Sequence, residues 1–367
     1  MEPSELRTWL RTTDPQRLED LWSEADAVRR AGVGDAVHLR GLVEISSHCT
    51  RRCAYCGLRA PNTGIQRYRM TADEIVDTAR LACELGYGTV VLQSGEDPAL
   101  TEEWVFDLVR RIKAETPLAI TLSLGERTPD ELAAWRLAGA DRYLLRFETS
   151  NGELFRRIHP SKPGLDRRVL LGALRELGYE VGSGVMIGIP GQTYEDLAAD
   201  IELFRTLDLD MIGVGPFLPH PDTPLGRGVG TTRAAGAAVP GRSAEDQVPN
   251  SELMTYKVVA LTRLVCPRTN IPSTTALATV NQQDGRENGL RRGANVIMPN
   301  LTPPAYRCCY EIYPGKVCAF EGIREYDTLV RRHIAELGRE VGTGRGDSPN
   351  RRARREGVRY IHSGECI

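Results

Sequence analysis

The chain has 367 residues, enough for one large α/β barrel or two medium domains. Hydrophobic residues make up 41% and charged residues 26%, with a formal net charge of −2, so no basic field suggests nucleic-acid binding. No apolar run approaches the ~18 residues of a membrane span, and the charged start MEPSELRTWLRTTDPQRLEDLW lacks a secretory core; a cytoplasmic protein is expected.

After a helical N-terminal extension (1–36), the pattern alternates between strand and helix. VHLRGLVEISS (37–47) reads as a strand and runs into a cysteine cluster. TADEIVDTARLACELG (71–86) has helical periodicity, with Thr71 and Glu74 spaced as a capping box. Strands follow at 89–96, 119–126, 142–148, 180–191 and 211–219. Helices lie between and after them at 102–115, 129–140, 166–178, 194–208 and 252–265. IPSTTALAT (271–279) is expected as a short strand, 288–294 as a helical turn, NVIMPN (295–300) as a strand and 326–338 as a final helix. These are eight βα units. An eighth strand to close the sheet, and no break in composition, favour one parallel (β/α)8 TIM barrel over 37–340 rather than an open doubly wound sheet.

Residues 226–251 are rich in Gly, Ala, Ser and Pro and read as a mobile loop. Residues 341–367 read as a C-terminal tail, with RRARR (351–355) expected to be solvated and RGD (345–347) a chance match.

Nine cysteines in a cytoplasmic chain argue for metal or redox chemistry over disulfides. Cys49, Cys53 and Cys56 fall within SSHCTRRCAYCGLRAP at C-x3-C-x2-C spacing. Zinc prefers four protein ligands, and His48 adjoins Cys49 too closely to be an obvious fourth. A four-iron cluster held by three thiolates keeps one iron open to an external ligand. The triplet follows the first strand, at the mouth where barrel active sites sit, and Arg51, Arg52 and Arg59 flank it.

This spacing, with Tyr55 before the last cysteine, resembles the radical S-adenosylmethionine (SAM) superfamily. The resemblance implies one 4Fe–4S cluster on Cys49, Cys53 and Cys56, and SAM cleaved reductively to a 5′-deoxyadenosyl radical. It implies SAM contacts from Tyr55, from the turn of Ser94, Gly95 and Glu96, and from Ser123, Glu148, Arg168 and Ile187. Gly188 and Gly191 let the chain turn beyond the fifth strand.

From about residue 35 to 340, strings such as VLQSGEDP, GADRYLLRFET, GVGPFLPHPDTPL, GANVIMPNLTPPAYR and YPGK resemble the HydE family of FeFe-hydrogenase maturases. Biotin synthase and methylornithine synthase share the barrel, and a related enzyme of small-molecule biosynthesis is the alternative; a non-catalytic iron–sulfur scaffold is a third. The HydE resemblance implies a radical acting at sulfur in an iron–cysteine complex carrying CO and cyanide, as the H-cluster dithiolate bridge is built. It implies HydG and HydF as partners, ferredoxin or flavodoxin as reductant, and a monomer. Gln93, Thr121, Arg146, Thr274, Thr275 and Met298, with Tyr306 just beyond, are the polar or adaptable candidates for binding that substrate inside the barrel. An inward Arg146 needs an anionic partner.

Some members of that family carry a second triplet, C-x7-C-x2-C, for an auxiliary cluster. Here Cys318 stands at its first position, but Tyr326 and Leu329 occupy the next two. One cluster is therefore expected, with Cys83, Cys266, Cys308, Cys309, Cys318 and Cys366 as incidental thiols.

Overall fold

The computed structural model describes residues 1–160, 166–228, 244–316 and 322–355. Cys318, Cys366 and most of the 226–251 loop lie outside them.

Two helices open the chain, α1 (Pro3–Arg11) and α2 (Pro15–Val33). Asp14 caps α2 by accepting from the Gln16 and Arg17 amides at 2.9 and 3.1 Å. Leu6, Leu10, Leu21 and Ala25 are fully buried, and α1 and α2 pack on helices of the barrel's outer ring.

The barrel follows as β1 (Ala36–Ser46), α3 (Ala72–Glu84), β2 (Thr89–Ser94), α4 (Glu102–Glu115), β3 (Ala119–Ser123), α5 (Pro129–Ala138) and β4 (Arg142–Leu144). Next come α6 (Gly152–Ile158), α7 (Arg167–Glu176), β5 (Glu180–Ile187), α8 (Tyr194–Thr206) and β6 (Met211–Pro216). The chain continues through α9 (Pro224–Gly228), α10 (Glu252–Val265), α11 (Thr275–Val280), α12 (Gly285–Arg291), β7 (Val296–Ile297), α13 (Pro304–Arg307), α14 (Ile323–Glu336), β8 (Glu340–Val341) and α15 (Pro349–Arg355). The expected capping box forms: Thr71 Oγ1 accepts from the Glu74 amide, and Glu74 accepts from the Thr71 amide.

The strands run parallel in the order β6-β5-β4-β3-β2-β1-β7, a curled TIM-barrel-like sheet. The expected strand at 271–279 does not form. Pro272 has no amide for a ladder, and Thr274 caps α11 by accepting from the Leu277 amide. Single bridges, Met211 with Asn270 and Pro272 with Val296, take the strand's place between β6 and β7.

The C-terminal segment corrects the expectation of a solvated tail. β8 pairs with the start of β1, and residues 344–348 cross the barrel floor. The Arg345 carbonyl accepts from Thr89 and Arg142, and the Gly346 carbonyl from Arg40 and Asn270. Asp347 pairs with Arg142, which also pairs with Glu180 at 2.5 Å. The RGD stretch is thus part of the floor. In the following helix, Arg354 pairs with Asp208 and Asp210 at 2.6 and 2.5 Å.

Candidate active site

β1 carries a register shift between Glu44 and Ser46, an extra residue opposite β2. The chain then leaves the sheet as an irregular loop bearing the three cysteines. Arg67 holds this loop by donating to the carbonyls of Ser47, Leu58, Arg59 and Asn62. The Ala54 amide ties it to the end of α6, donating to Ile158 O at 2.7 Å. Arg67 escaped the sequence reading, because an arginine that serves only backbone carbonyls leaves no spacing signal.

The three thiols face one electrostatic neighbourhood. Burial raises the Cys49 thiol and pushes Cys56 up to about 12. Burial raises Cys53 further, and the charges of Cys56 and Cys49 add to that rise. Thiols this reluctant to ionise become thiolates when a metal takes the proton's place. Three soft sulfur donors on one loop suit iron–sulfur ligation. Of the nearby arginines, Arg59 is coupled electrostatically to Cys53 and Cys56, and Arg67 to Cys49 and Cys56. Arg51 is committed to Glu96 and Glu126, and Arg59 donates to the Arg52 carbonyl.

Gly95 fits the loop to the sheet. A Cβ there would lie 2.3 Å from His48 O and 2.7 Å from Cys49 Cβ, so only glycine lets the strand-2 turn approach the cysteine. Ser94 borders the cavity beside it. The Glu96 side chain turns away: it takes Arg51 and the Glu126 amide, while its backbone carbonyl accepts from the Thr50 amide at 3.0 Å.

Above the sheet lies a cavity of about 320 Å³, bordered by Cys49, Cys56 and Tyr55 at one side. Side chains two residues apart share a strand face. Leu42 and Glu44 on β1, Gln93 on β2, Ser123 at the end of β3, Leu144 at the end of β4 and Arg146 just beyond it line the cavity. Thr274, Thr275 and Met298 line its far wall. Thr121, two residues before Ser123, lies one layer deeper; it is buried and its hydroxyl has no partner.

Arg146 and Glu148 form the cavity's charged element. Arg146 donates to the Val185 carbonyl at 2.5 Å and lies 3.2 Å from Glu148 Oε2. Among the described residues its Nε has no partner. Glu148 is buried with φ 64°, a left-handed conformation that costs a non-glycine residue about 1–3 kcal/mol. Such strain persists where surrounding contacts over-determine it, as its isolated bridge to Val185 does.

Besides Glu96 and Thr121, three further expected residues are not brought to the cavity. Arg168 is exposed and paired with Asp166 at 2.6 Å, because Asp166 caps α7 and captures the nearest arginine. Its neighbour Arg167 turns inward, donating to Glu126, the Arg146 carbonyl and His159 at 2.8, 2.6 and 2.7 Å. Ile187 is fully buried in the core, and Met186, one position earlier, borders the cavity beside Tyr55. Tyr306 stacks on Tyr68 outside the barrel, 4.6 Å between ring centres, and donates to Glu74 at 2.7 Å. Tyr310 and Tyr313 take its place in the wall.

The sequence reading also missed Glu44 and Lys316. They form an ion pair in the cavity wall, and Asn300 donates to the same carboxylate at 3.1 Å. Glu44 sits mid-strand in a run that otherwise reads as core, so only the register exposes it. Glu96, Glu126 and His159 offer ligand atoms within 4.8 Å of one another. Arg51 and Arg167 neutralise both carboxylates there, so the cluster reads as an ion-pair network bracing the cavity rim. A larger groove of about 470 Å³ between α2 and α12 borders none of the thiols; its Arg29, Asp26 and Asp35 pair with one another.

Residues 43–204 match the family model of the radical SAM superfamily. The [FeFe] hydrogenase maturase subunit HydE of Thermotoga maritima is 46% identical over 324 residues, 88% of this chain and 87% of that protein. The 3-methylornithine synthase of Methanosarcina acetivorans is 27% identical over 93% of this chain and 86% of its own length. A crystal structure of methylornithine synthase superposes with a TM-score of 0.78 at 27% identity, covering 98% of this chain and 96% of that one.

Proposed function

The chain belongs to the radical SAM superfamily, among the HydE maturases, and from that premise we propose that it helps build the di-iron subcluster of FeFe hydrogenase. When bound, the 4Fe–4S cluster and SAM supply one-electron reductive cleavage and a carbon radical. Cys49, Cys53 and Cys56 hold the cluster. Tyr55, Ser94, Gly95, Ser123 and Glu148 border the space left for SAM, with Met186 in the position expected of Ile187 and Arg167 in that expected of Arg168. Glu96 serves from behind, fixing Arg51 and the strand-3 turn.

The deeper cavity receives the substrate, an iron–cysteine complex carrying CO and cyanide, whose sulfur meets the radical. Arg146 is the observation that carries this reading. It points into the barrel with one guanidinium nitrogen unpartnered, where a packed barrel would hold aliphatic side chains. Gln93, Thr274, Thr275 and Met298 complete the wall, and Thr121 offers a free hydroxyl beneath it. Closure of the cavity keeps water from the radical. HydG supplies the complex, HydF receives the product, and ferredoxin or flavodoxin supplies the electron to a monomeric chain holding one cluster. Among the described residues no helix is long and apolar enough to cross a membrane.

The test is an anaerobic assay of the cluster-loaded chain with SAM, reductant, HydG-derived complex and apo-hydrogenase. Hydrogenase activation that depends on this chain is expected. The likeness to methylornithine synthase over nearly the whole chain motivates the second reading, a small-metabolite enzyme. Methylornithine formed from lysine, with no hydrogenase activation, would establish that reading instead.

A further inference from the structure

Cys308 and Cys309 directly follow α13, and the proposed chemistry uses neither. Their sulfurs lie 3.7 Å apart. Cys308 is exposed and Cys309 buried, so one thiol meets solvent and the other stands behind it. Each sulfur also lies 4.0 Å from the Ala305 carbonyl oxygen.

The pair sits between two aromatic residues that bear on the cavity wall. Tyr310 follows it directly, is buried, and accepts from Gln93 Nε2 at 3.3 Å. Lys316 Nζ lies 5.1 Å from the Tyr310 ring centre. Two residues upstream of Cys308, Tyr306 stacks on Tyr68, whose hydroxyl donates to the Glu44 carbonyl at 2.6 Å.

We propose that Cys308 and Cys309 form a thiol–disulfide switch in the wall of the cavity. A small-molecule disulfide is the oxidant. The Cys308 thiolate attacks its S–S bond, forms a mixed disulfide and releases one small thiol. The Cys309 thiolate then attacks the Cys308 sulfur, closes the Cys308–Cys309 bond and releases the second small thiol. Two protein thiols are oxidised, one small disulfide is reduced, and the two protons pass to the departing thiols.

Geometry sets the direction of the response. Adjacent Cα atoms are about 3.8 Å apart, shorter than the roughly 4.4–6.8 Å that relaxed disulfides span. The closed ring is therefore strained, and strained, exposed disulfides are the readily reduced, regulatory kind. The strain falls on the Cys308–Cys309 peptide, and Tyr310 is the next residue, so closure draws Tyr310 from Gln93 and loosens the wall. The switch does not depend on the substrate's identity.

The test uses the cluster-loaded chain, held anaerobically with excess oxidised glutathione, then alkylated and cleaved with trypsin. Cleavage after Arg307 and Lys316 releases both cysteines in one peptide. The expected product is that peptide lighter by two hydrogens, free of alkyl groups and restored by a dithiol reductant. Cys308→Ser and Cys309→Ser should stop at a thiol or a glutathione adduct. Two alkylated cysteines, or two glutathione adducts, in the wild-type peptide would overturn the switch. Amide exchange should quicken over 310–316 in the oxidised chain; unchanged exchange there would overturn its link to the wall.

Discussion

The two ends of the barrel cover their buried charge differently, although arginine nitrogens without a partner among the described residues occur at both, Arg40 and Arg345 Nε at the floor and Arg146 Nε at the mouth. At the floor, the chain supplies its own counter-groups: Arg142 meets Glu180, Asp347 and the Arg345 carbonyl, and Arg354 meets Asp208 and Asp210. At the mouth, Arg146 keeps an unpartnered nitrogen, Glu148 is held at positive φ, and three thiols are raised by burial. Arg142 opens β4 at the floor, and Arg146 follows its end at the mouth. The difference lies in what covers them. The C-terminal segment closes one end, and the other faces a cavity. Barrels divide stability and chemistry between their ends in this way.

The sharpest way to break the contrast is at the thiols. Cys53→Ala should abolish cluster loading, read as iron and sulfide per chain after anaerobic reconstitution, and leave the melting temperature of the apo-chain nearly unchanged. Iron near four per chain with a single triplet is expected for the wild type; iron well above that would reveal a second cluster.

Arg146→Met should separate the two halves of the mouth. Loss of a charged contact to an anionic substrate costs about 2–5 kcal/mol, or roughly two to three orders of magnitude in product formation at the midpoint. SAM cleavage should persist, so 5′-deoxyadenosine continues while hydrogenase activation fails.

The same change at the floor should do the reverse. Arg142→Met leaves Glu180 buried without its closest partner, which costs about 3–5 kcal/mol of stability. The unfolding free energy from a denaturant titration should fall by that amount, while the SAM cleavage rate of the folded fraction holds.

Adjacent arginines offer a finer comparison. Arg167→Ala removes the group that joins Glu126, the Arg146 carbonyl and His159, and should weaken SAM cleavage measurably. Arg168→Ala removes an exposed pair with Asp166 and should change stability by less than about 1 kcal/mol and activity not at all.

The smallest effect concerns pH at the floor. Burial, then Arg40 and Arg142, lowers His38 from 6.5 to about 4. The unfolded chain therefore binds more protons between those values, so this contribution is present above 6.5 and lost as pH falls towards 4. His38→Leu should flatten that part of an acid-unfolding curve; burial beside Arg167 gives His159 the same sign, so some slope should remain.

The helices were legible in sequence because periodicity and caps are local: 102–115 and 252–265 fall where the pattern puts them. The cysteine triplet was legible because its spacing is itself the chemistry. The closure near 271 was not, since Pro272 and the Thr274 cap outweigh a run that otherwise reads as β. The choice between Arg167 and Arg168 turns on which one Asp166 captures, a contact that spacing leaves undecided. The floor was hidden for a related reason: a Gly-, Arg- and Asp-rich tail looks solvated until Arg40, Thr89 and Arg142 present donors to its carbonyls. Glu44 and Lys316 lie far apart in sequence and meet only through the barrel.

One measurement bears most directly on the division between the ends. The reduced, cluster-loaded wild-type chain and Arg146→Met are each given SAM, with and without the HydG-derived iron complex, and 5′-deoxyadenosine and hydrogenase activation are read together. The expected result is cleavage in both chains and activation in the wild type alone. Cleavage in neither would contradict the assignment of the mouth as a radical SAM site, and equal activation by both would contradict the assignment of the deeper cavity to the substrate.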